Sequence, residues 1–360
     1  MNSSIHVTRP SLAPIEEFKE YLETIWESGV MTHNGPLVQQ LEKELCDYLG
    51  VKNLVCVASG TSALQLSIRA LNLVGEVITT PFTFIATANI ISWERCRPIF
   101  VDIDPDTWNI DPNRIEEKIT EATSAILPVH VFSSPCNVEH IQSIAHRHGL
   151  KVIYDAAHAM ATKVNGESLL NQGDVSAVSF HATKLFNTVE GGACVTEDDI
   201  LADRLRRMRF FGFDKEKNIV DEGMNAKMTE VSAGLGLANL KCLDRVRSNR
   251  QGKYQLYTDL LSRCPFLTFQ KINPKEYNYS YLPVLFESED VLLRVMNRLI
   301  ADDIFPQRYF HPSLNTVPIF KPQASLPISE RVARSILCLP LYDSLGSEEI
   351  QRICRHIEED

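Results

Sequence analysis

Val178-Ser179-Phe180-His181-Ala182-Thr183-Lys184-Leu185-Phe186-Asn187-Thr188-Val189-Glu190-Gly191-Gly192-Ala193 is the stretch from which the fold of this chain can be read. It joins two short apolar segments, Ala177 to Phe180 and Ala193 to Thr196, which read as strands, and it places a lysine just beyond the first of them. Similar segments lie upstream at Leu54 to Ala58, Val77 to Thr80, Ile99 to Asp102, Ala125 to Val129 and Val152 to Asp155. Helical patterns such as Ala63 to Leu71 and Val138 to His148 separate several of them. That alternation predicts an α/β sheet. Continuous apolar strands are expected where helices cover both faces of a largely parallel sheet, and binding residues then gather at the strand C-termini.

Three segments obey that rule. Ser59-Gly60-Thr61-Ser62 follows the strand ending at Ala58, Asp155 closes Val152-Ile153-Tyr154, and Lys184 follows the strand ending at Phe180, so all three can face one crevice. A lysine amine made neutral by burial can hold an aldehyde as a Schiff base. A carboxylate beside a pyridine nitrogen keeps it protonated and electron-withdrawing. A glycine turn opening a helix supplies N–H groups and a favourable dipole to a phosphate. Lys184, Asp155 and the trio Gly60, Thr61 and Ser62 therefore form the set that pyridoxal 5'-phosphate requires. Each has a plain alternative on its own: a surface lysine, a turn-forming aspartate, a helix cap. Their coincidence at three strand ends of one sheet favours the cofactor.

The 360 residues carry 44% hydrophobic content, enough for a large core and a smaller second unit. Thirty-six basic against 46 acidic residues give a formal charge of -10 without a long basic run, which argues against a nucleic-acid partner. Nine scattered cysteines without a Cys-x-x-Cys pair point to reduced thiols and a cytoplasmic protein, and no metal site is expected. The N-terminal residues Met1 to Pro10 lack the apolar stretch of a secretory signal. The longest apolar region, Val77 to Trp93, is too interrupted by polar residues to span a membrane. From Leu201 to Val246 the chain turns helical and charged; beyond Arg250 a strand-like Tyr281 to Phe286 and helices at Val291 to Asp302 and Ser347 to Ile357 suggest a second unit. We expect a large domain over 1–245, including the N-terminal segment, and a small C-terminal α/β domain over 246–360.

At these residues the chain resembles the DegT/DnrJ/StrS family of nucleotide-sugar aminotransferases. The resemblance runs from about Arg9 to Arg355 and includes Thr32 to Pro36, Ser59 to Leu64, Thr80 to Thr87, Val101 to Asp104, Asp155 to His158, Ser179 to Lys184 and Gly223 to Glu230. It implies the fold-type I architecture of pyridoxal phosphate enzymes, similar to aspartate aminotransferase. It implies that Lys184 forms the Schiff base and then shuttles a proton, that Asp155 holds the pyridinium, and that His158 lies near the cofactor's phenolic oxygen. Phe84 would stack on the ring, and Thr61, Ser62 and Ser179 would bind phosphate, with Gly60 permitting close approach. Asn225 would reach the phosphate of a neighbouring subunit, which implies a homodimer with shared sites. The chain departs from the family at Tyr154, where Glu is common, and at Ala226-Lys227, where an aromatic-Arg pair is frequent.

Family members that dehydrate sugars carry His in place of this lysine, so Lys184 favours transamination. L-glutamate is the expected donor and a nucleotide-linked keto-sugar the acceptor. The full pattern is most similar to members that aminate dTDP-4-dehydro-6-deoxyglucose at C4, giving dTDP-4-amino-4,6-dideoxy-D-glucose for a bacterial O-antigen. Two alternatives stand beside this: a 3-aminotransferase acting on a dTDP-3-keto-6-deoxyhexose, and a cofactor-binding regulatory protein that does not turn over. The residues do not assign roles to His181, Thr183 or Asn187, nor do they separate Arg308 to His311 and Thr32 to Pro36 from ordinary turns.

Overall fold

The computed structural model describes residues 4–320 and 324–359, so the first three residues of the N-terminal stretch lie outside it. Its centre is a seven-stranded sheet of β1 (Asn53–Val57), β2 (Glu76–Thr79), β3 (Arg97–Phe100), β4 (Thr123–Leu127), β5 (Lys151–Asp155), β6 (Val175–Ser179) and β7 (Gly192–Thr196). The order across the sheet is β1-β7-β6-β5-β4-β2-β3, and every neighbouring pair is parallel except the two that β7 makes with β1 and β6. All seven strands expected from the sequence are present, each within about two residues of its expected bounds.

The strands are apolar throughout because both faces are covered. Leu54 and Cys56 of β1 point into one core, while Val55 and Val57 point into the other, the period-two alternation of a strand between two helical layers. The helices are α1 (Ile15–Ser28), α2 (Pro36–Leu49), α3 (Gly60–Ala70), α4 (Ile85–Trp93), α5 (Val138–His148), α6 (Asp199–Met208) and α7 (Glu230–Leu240). Their starts are encoded locally. Ser59 caps α3, Asn137 caps α5 and Asp198 caps α6, each accepting a backbone N–H of the first turn. α2 has Pro36 at its first position and receives its cap from far away: the buried Glu230 carboxylate accepts the N–H groups of Leu37 and Val38 at 2.8 and 3.1 Å.

A three-stranded antiparallel sheet of β8 (Leu267–Phe269), β9 (Leu282–Phe286) and β10 (Ile336–Leu339) builds a further core of its own. The link is α8 (Leu243–Leu261). Leu243 and Val246 at its start pack into the core of the large sheet, and Tyr254, Tyr257 and Leu261 pack beside the small one. The expected division at 245/246 therefore falls inside one continuous helix. Ile5 of the N-terminal segment also lies in the second core, where Ile5–His6 pairs in parallel with Ile304–Phe305. The same segment then crosses back: the Ser11 carbonyl accepts from Asn187, and the Ala13 N–H donates to Asn239.

Candidate active site

The ends of β1, β5 and β6 open onto a cavity of about 390 Å³. Of the residues expected from the sequence, Gly60, Thr61, Phe84, Asp155, His158, Ser179 and Lys184 line it. Lys184 sits in the connection between β6 and β7, whose backbone is closed by Ala182 N–H to Val189 O at 2.8 Å and Lys184 N–H to His181 O at 2.9 Å. Buried Asn187 anchors the loop by donating to the Ser11 carbonyl, while its own carbonyl accepts from Asn239. Asn187, without a role in the sequence, is thus a structural tie between the lysine loop, the N-terminal segment and α7.

Two glycines bring the pieces together. A Cβ on Gly60 would meet the Ser179 Cβ at 2.8 Å, and one on Gly192 would meet the Gly60 nitrogen at 2.6 Å. Only glycine at both positions lets the start of α3 press against the ends of β6 and β7. Gly60 and Thr61 at the start of α3 and Ser179 at the end of β6 then border one concavity, which suits a phosphate. Ser62, expected among the phosphate-binding hydroxyls, does not line the cavity. It is buried, its N–H donates to Ser59 Oγ and its Oγ donates to the Ser59 carbonyl, so both groups are spent on capping α3.

Asp155 lies at the cavity floor. Its carboxylate accepts from the Thr87 hydroxyl at 2.7 Å and from the Ala157 N–H at 3.1 Å. Burial raises its pKa, and those two hydrogen bonds together with the charge of Lys184 pull it back. Thr87 is in turn oriented by Thr83, 2.9 Å away, which gives the sequence run Thr83 to Thr87 a definite purpose. His158 accepts the Phe132 N–H on Nδ1 at 3.2 Å, which places its proton on Nε2. Burial, assisted by Lys184, holds it well below its usual pKa, so it stands as a neutral donor. Phe84, the residue before α4, is 59% exposed at the cavity wall, free to cover a planar ligand.

Burial lowers the Lys184 amine to about 8, against the opposing attraction of Asp155. Its hydrogen-bond partner is the Tyr281 hydroxyl at 3.0 Å. Tyr281, Glu190, Tyr309 and Phe310 complete the walls; Tyr281 and Glu190 were given no role from the sequence, and Tyr309 and Phe310 lie in the segment Arg308 to His311 that the sequence did not separate from an ordinary turn. Arg308 turns away to Glu289 and the Arg334 carbonyl, and Asn34 is held by Arg209, so the neighbouring turns contribute Tyr309 and Phe310 alone. Asn225 is exposed, beside Lys227, and does not line the cavity of its own chain.

A buried, partly deprotonated lysine, a carboxylate behind it and a helix start beside it match what pyridoxal phosphate needs, and the close fit of Gly60 on Ser179 leaves the concavity for an outside anion. The profile of the DegT/DnrJ/EryC1/StrS aminotransferase family matches residues 13–358. The chain belongs to that family. It is therefore a pyridoxal phosphate-dependent aminotransferase of fold type I. It is 42% identical to a dTDP-4-amino-4,6-dideoxy-D-glucose transaminase of Shigella dysenteriae, with all of both chains covered. It is 39% identical to the transaminase of the same name from Escherichia coli, with 98% of each covered. Its structure resembles that of DesI in the presence of its TDP-sugar product, with a TM-score of 0.94 at 33% identity over 100% of this chain and 93% of the other. NtdA of Bacillus subtilis with bound cofactor PMP matches with a TM-score of 0.88 at 28% identity over 96% and 81% of the two chains.

Proposed function

We propose that the chain transfers the amino group of L-glutamate to C4 of dTDP-4-dehydro-6-deoxy-D-glucose, giving dTDP-4-amino-4,6-dideoxy-D-glucose and 2-oxoglutarate. The observation that carries this reading is the Lys184 amine, buried in a cavity with Asp155, Gly60, Thr61 and Ser179 and lowered to about 8. Bound pyridoxal phosphate supplies an electrophilic aldehyde and a ring that withdraws electrons. The remaining work falls to the chain. Gly60, Thr61 and Ser179 would bind the phosphate, Asp155 would keep the pyridine nitrogen protonated, and Phe84 would cover the ring. Lys184, as the neutral amine, would hold the aldehyde and would carry a proton at Nζ during the transfer. His158, with Nε2–H available, would donate to the phenolic oxygen.

Both transaminases named above carry a 4-amino sugar in their names, which favours C4 over a 3-keto acceptor. The relatives at 42% and 39% identity are both named for catalysis, so a regulatory protein without turnover is not favoured. We further propose a homodimer, in which Asn225 crosses to the phosphate of the partner's site, a cytoplasmic location, and a role in lipopolysaccharide O-antigen synthesis. The segments around the two sheets are read as large and small domains joined through α8. No helix among the described residues is long and apolar enough to cross a membrane.

The visible absorption of the lysine-bound cofactor is expected to disappear on adding L-glutamate and to return on adding dTDP-4-dehydro-6-deoxy-D-glucose. Bleaching without recovery would remove this sugar as the acceptor; no bleaching would remove glutamate as the donor.

A further inference from the structure

Tyr281 stands at an unusual place. It immediately precedes β9 of the small sheet, yet its hydroxyl lies 3.0 Å from Nζ of Lys184, in the connection between β6 and β7 of the large sheet. The side chain is 5% exposed, and its ring is held by His158 at 4.6 Å, Phe132 at 5.7 Å and Tyr309 at 5.9 Å between centroids. Its backbone is fixed as firmly. The Tyr277 hydroxyl donates to the Phe132 carbonyl at 2.7 Å and lies 3.2 Å from the Tyr281 carbonyl, and the Asn278 amide donates to the carbonyls of His158 and Met160. The segment 277–281 is thereby clamped to the loop that follows Asp155.

A lysine side chain has four rotatable bonds, and a buried amine that must strike one atom loses rate if it wanders. Three polar groups bear on it here: the carboxylate of Asp155, the imidazole of His158 and the phenol of Tyr281. A carboxylate holding the amine directly would favour the ammonium, which cannot attack. Burial pushes the Tyr281 phenol well up from its usual range, so it remains uncharged and gives the amine a partner without that penalty.

We propose that Tyr281 is the positioning residue of Lys184: its hydroxyl oxygen accepts one hydrogen of the neutral amine and turns the nitrogen lone pair into the cavity. The inference rests on the assignment of Lys184 as the lysine that carries pyridoxal phosphate. It predicts a hydroxyl effect on the rate of attack and none on the affinity of the cavity. In the attack the amine displaces the aldehyde oxygen as water, and no other reactant is needed.

The test uses cofactor-free full-length protein and the variant Tyr281→Phe, which keeps the ring and its packing. Two quantities are read at pH 8: the rate at which absorption of lysine-bound pyridoxal phosphate appears, and the affinity for pyridoxamine phosphate, which makes no bond to Lys184. The expected result is a capture rate at least tenfold lower in Tyr281→Phe, with pyridoxamine phosphate affinity within twofold of wild type and Tm unchanged. Equal capture rates would overturn the proposal. So would a parallel loss of pyridoxamine phosphate affinity, since that marks the hydroxyl as a support for the cavity as a whole. Failure of the wild-type chain to capture pyridoxal phosphate at all, with Lys184→Ala as the blank, would sink the lysine assignment and the proposal with it.

Discussion

The amine of Lys184 is kept in the fold against its own preference. Folding lowers it from 10.5 to about 8, so below pH 8 the folded chain holds a buried ammonium that water would solvate better. Between pH 8 and 10.5 the unfolded chain binds more protons at this site than the folded one. Stability therefore rises with pH across that window, and the penalty is full below it. Replacing the amine by the similarly shaped Lys184→Met should raise the unfolding free energy of the cofactor-free protein by about 2–3 kcal/mol at pH 7. The gain should shrink steadily as urea titrations are repeated up to pH 10. A constant gain at all pH values would show that packing rather than charge is responsible. The neutral amine that makes the site reactive is thus the same group that weakens the empty fold.

Elements meet at this site through a few contacts that no short stretch of sequence contains. The strands were legible because each is apolar over its whole length between two helical layers, and Lys184, Asp155 and Gly60 were legible because they fall at strand ends. Tyr281 was not, since its partner lies 97 positions away in the chain and its own neighbourhood reads as an ordinary strand entry. Ser62 was misleading for a local reason: a hydroxyl three residues after Ser59 serves the helix cap as well as it would serve a phosphate. Gly60→Ala is expected to weaken pyridoxal phosphate binding at least tenfold in an equilibrium titration, because α3 must retreat from Ser179 to admit the methyl group. Asp102 makes a comparable joint further along the sheet. Its buried carboxylate accepts the N–H groups of Ile328 and Ser329, capping the helix Pro327–Ser335 that leads into β10. Asp102→Ala should cost about 2–3 kcal/mol in urea unfolding, and Asp102→Asn distinctly less.

Over the whole molecule, large apolar side chains remain exposed at the cavity wall and in the lysine loop (Phe84, Val189), on α4 (Trp93) and in the segment between α6 and α7 (Phe211, Ile219). A second copy of the chain would cover such residues and bring an exposed Asn225 to a site that its own chain does not offer it. If sites are shared in this way, Lys184→Ala and Asn225→Ala chains mixed and allowed to exchange should form heterodimers with one intact site. Activity should then recover to about a quarter of the wild-type level, as random pairing of equal amounts dictates. Mixtures no more active than their parents would place Asn225 in its own chain's business.

The pairing of Ile5 with Ile304 also bears on how the chain is made. During synthesis Ile5 and His6 leave the ribosome with a hydrogen-bonding edge whose mate is about 300 residues behind them, a long-range closure of the kind that slows folding. The seven-stranded sheet can assemble from segments already emerged, whereas the Ser11 and Ala13 crossings to Asn187 and Asn239 and the strand at Ile5 must be completed in separate acts, the last of them only when the C-terminal third is present. A nascent chain arrested before residue 304 should consequently leave the stretch around Ile5 and His6, ahead of the Ser11 tie, open to protease while the sheet behind it already resists digestion.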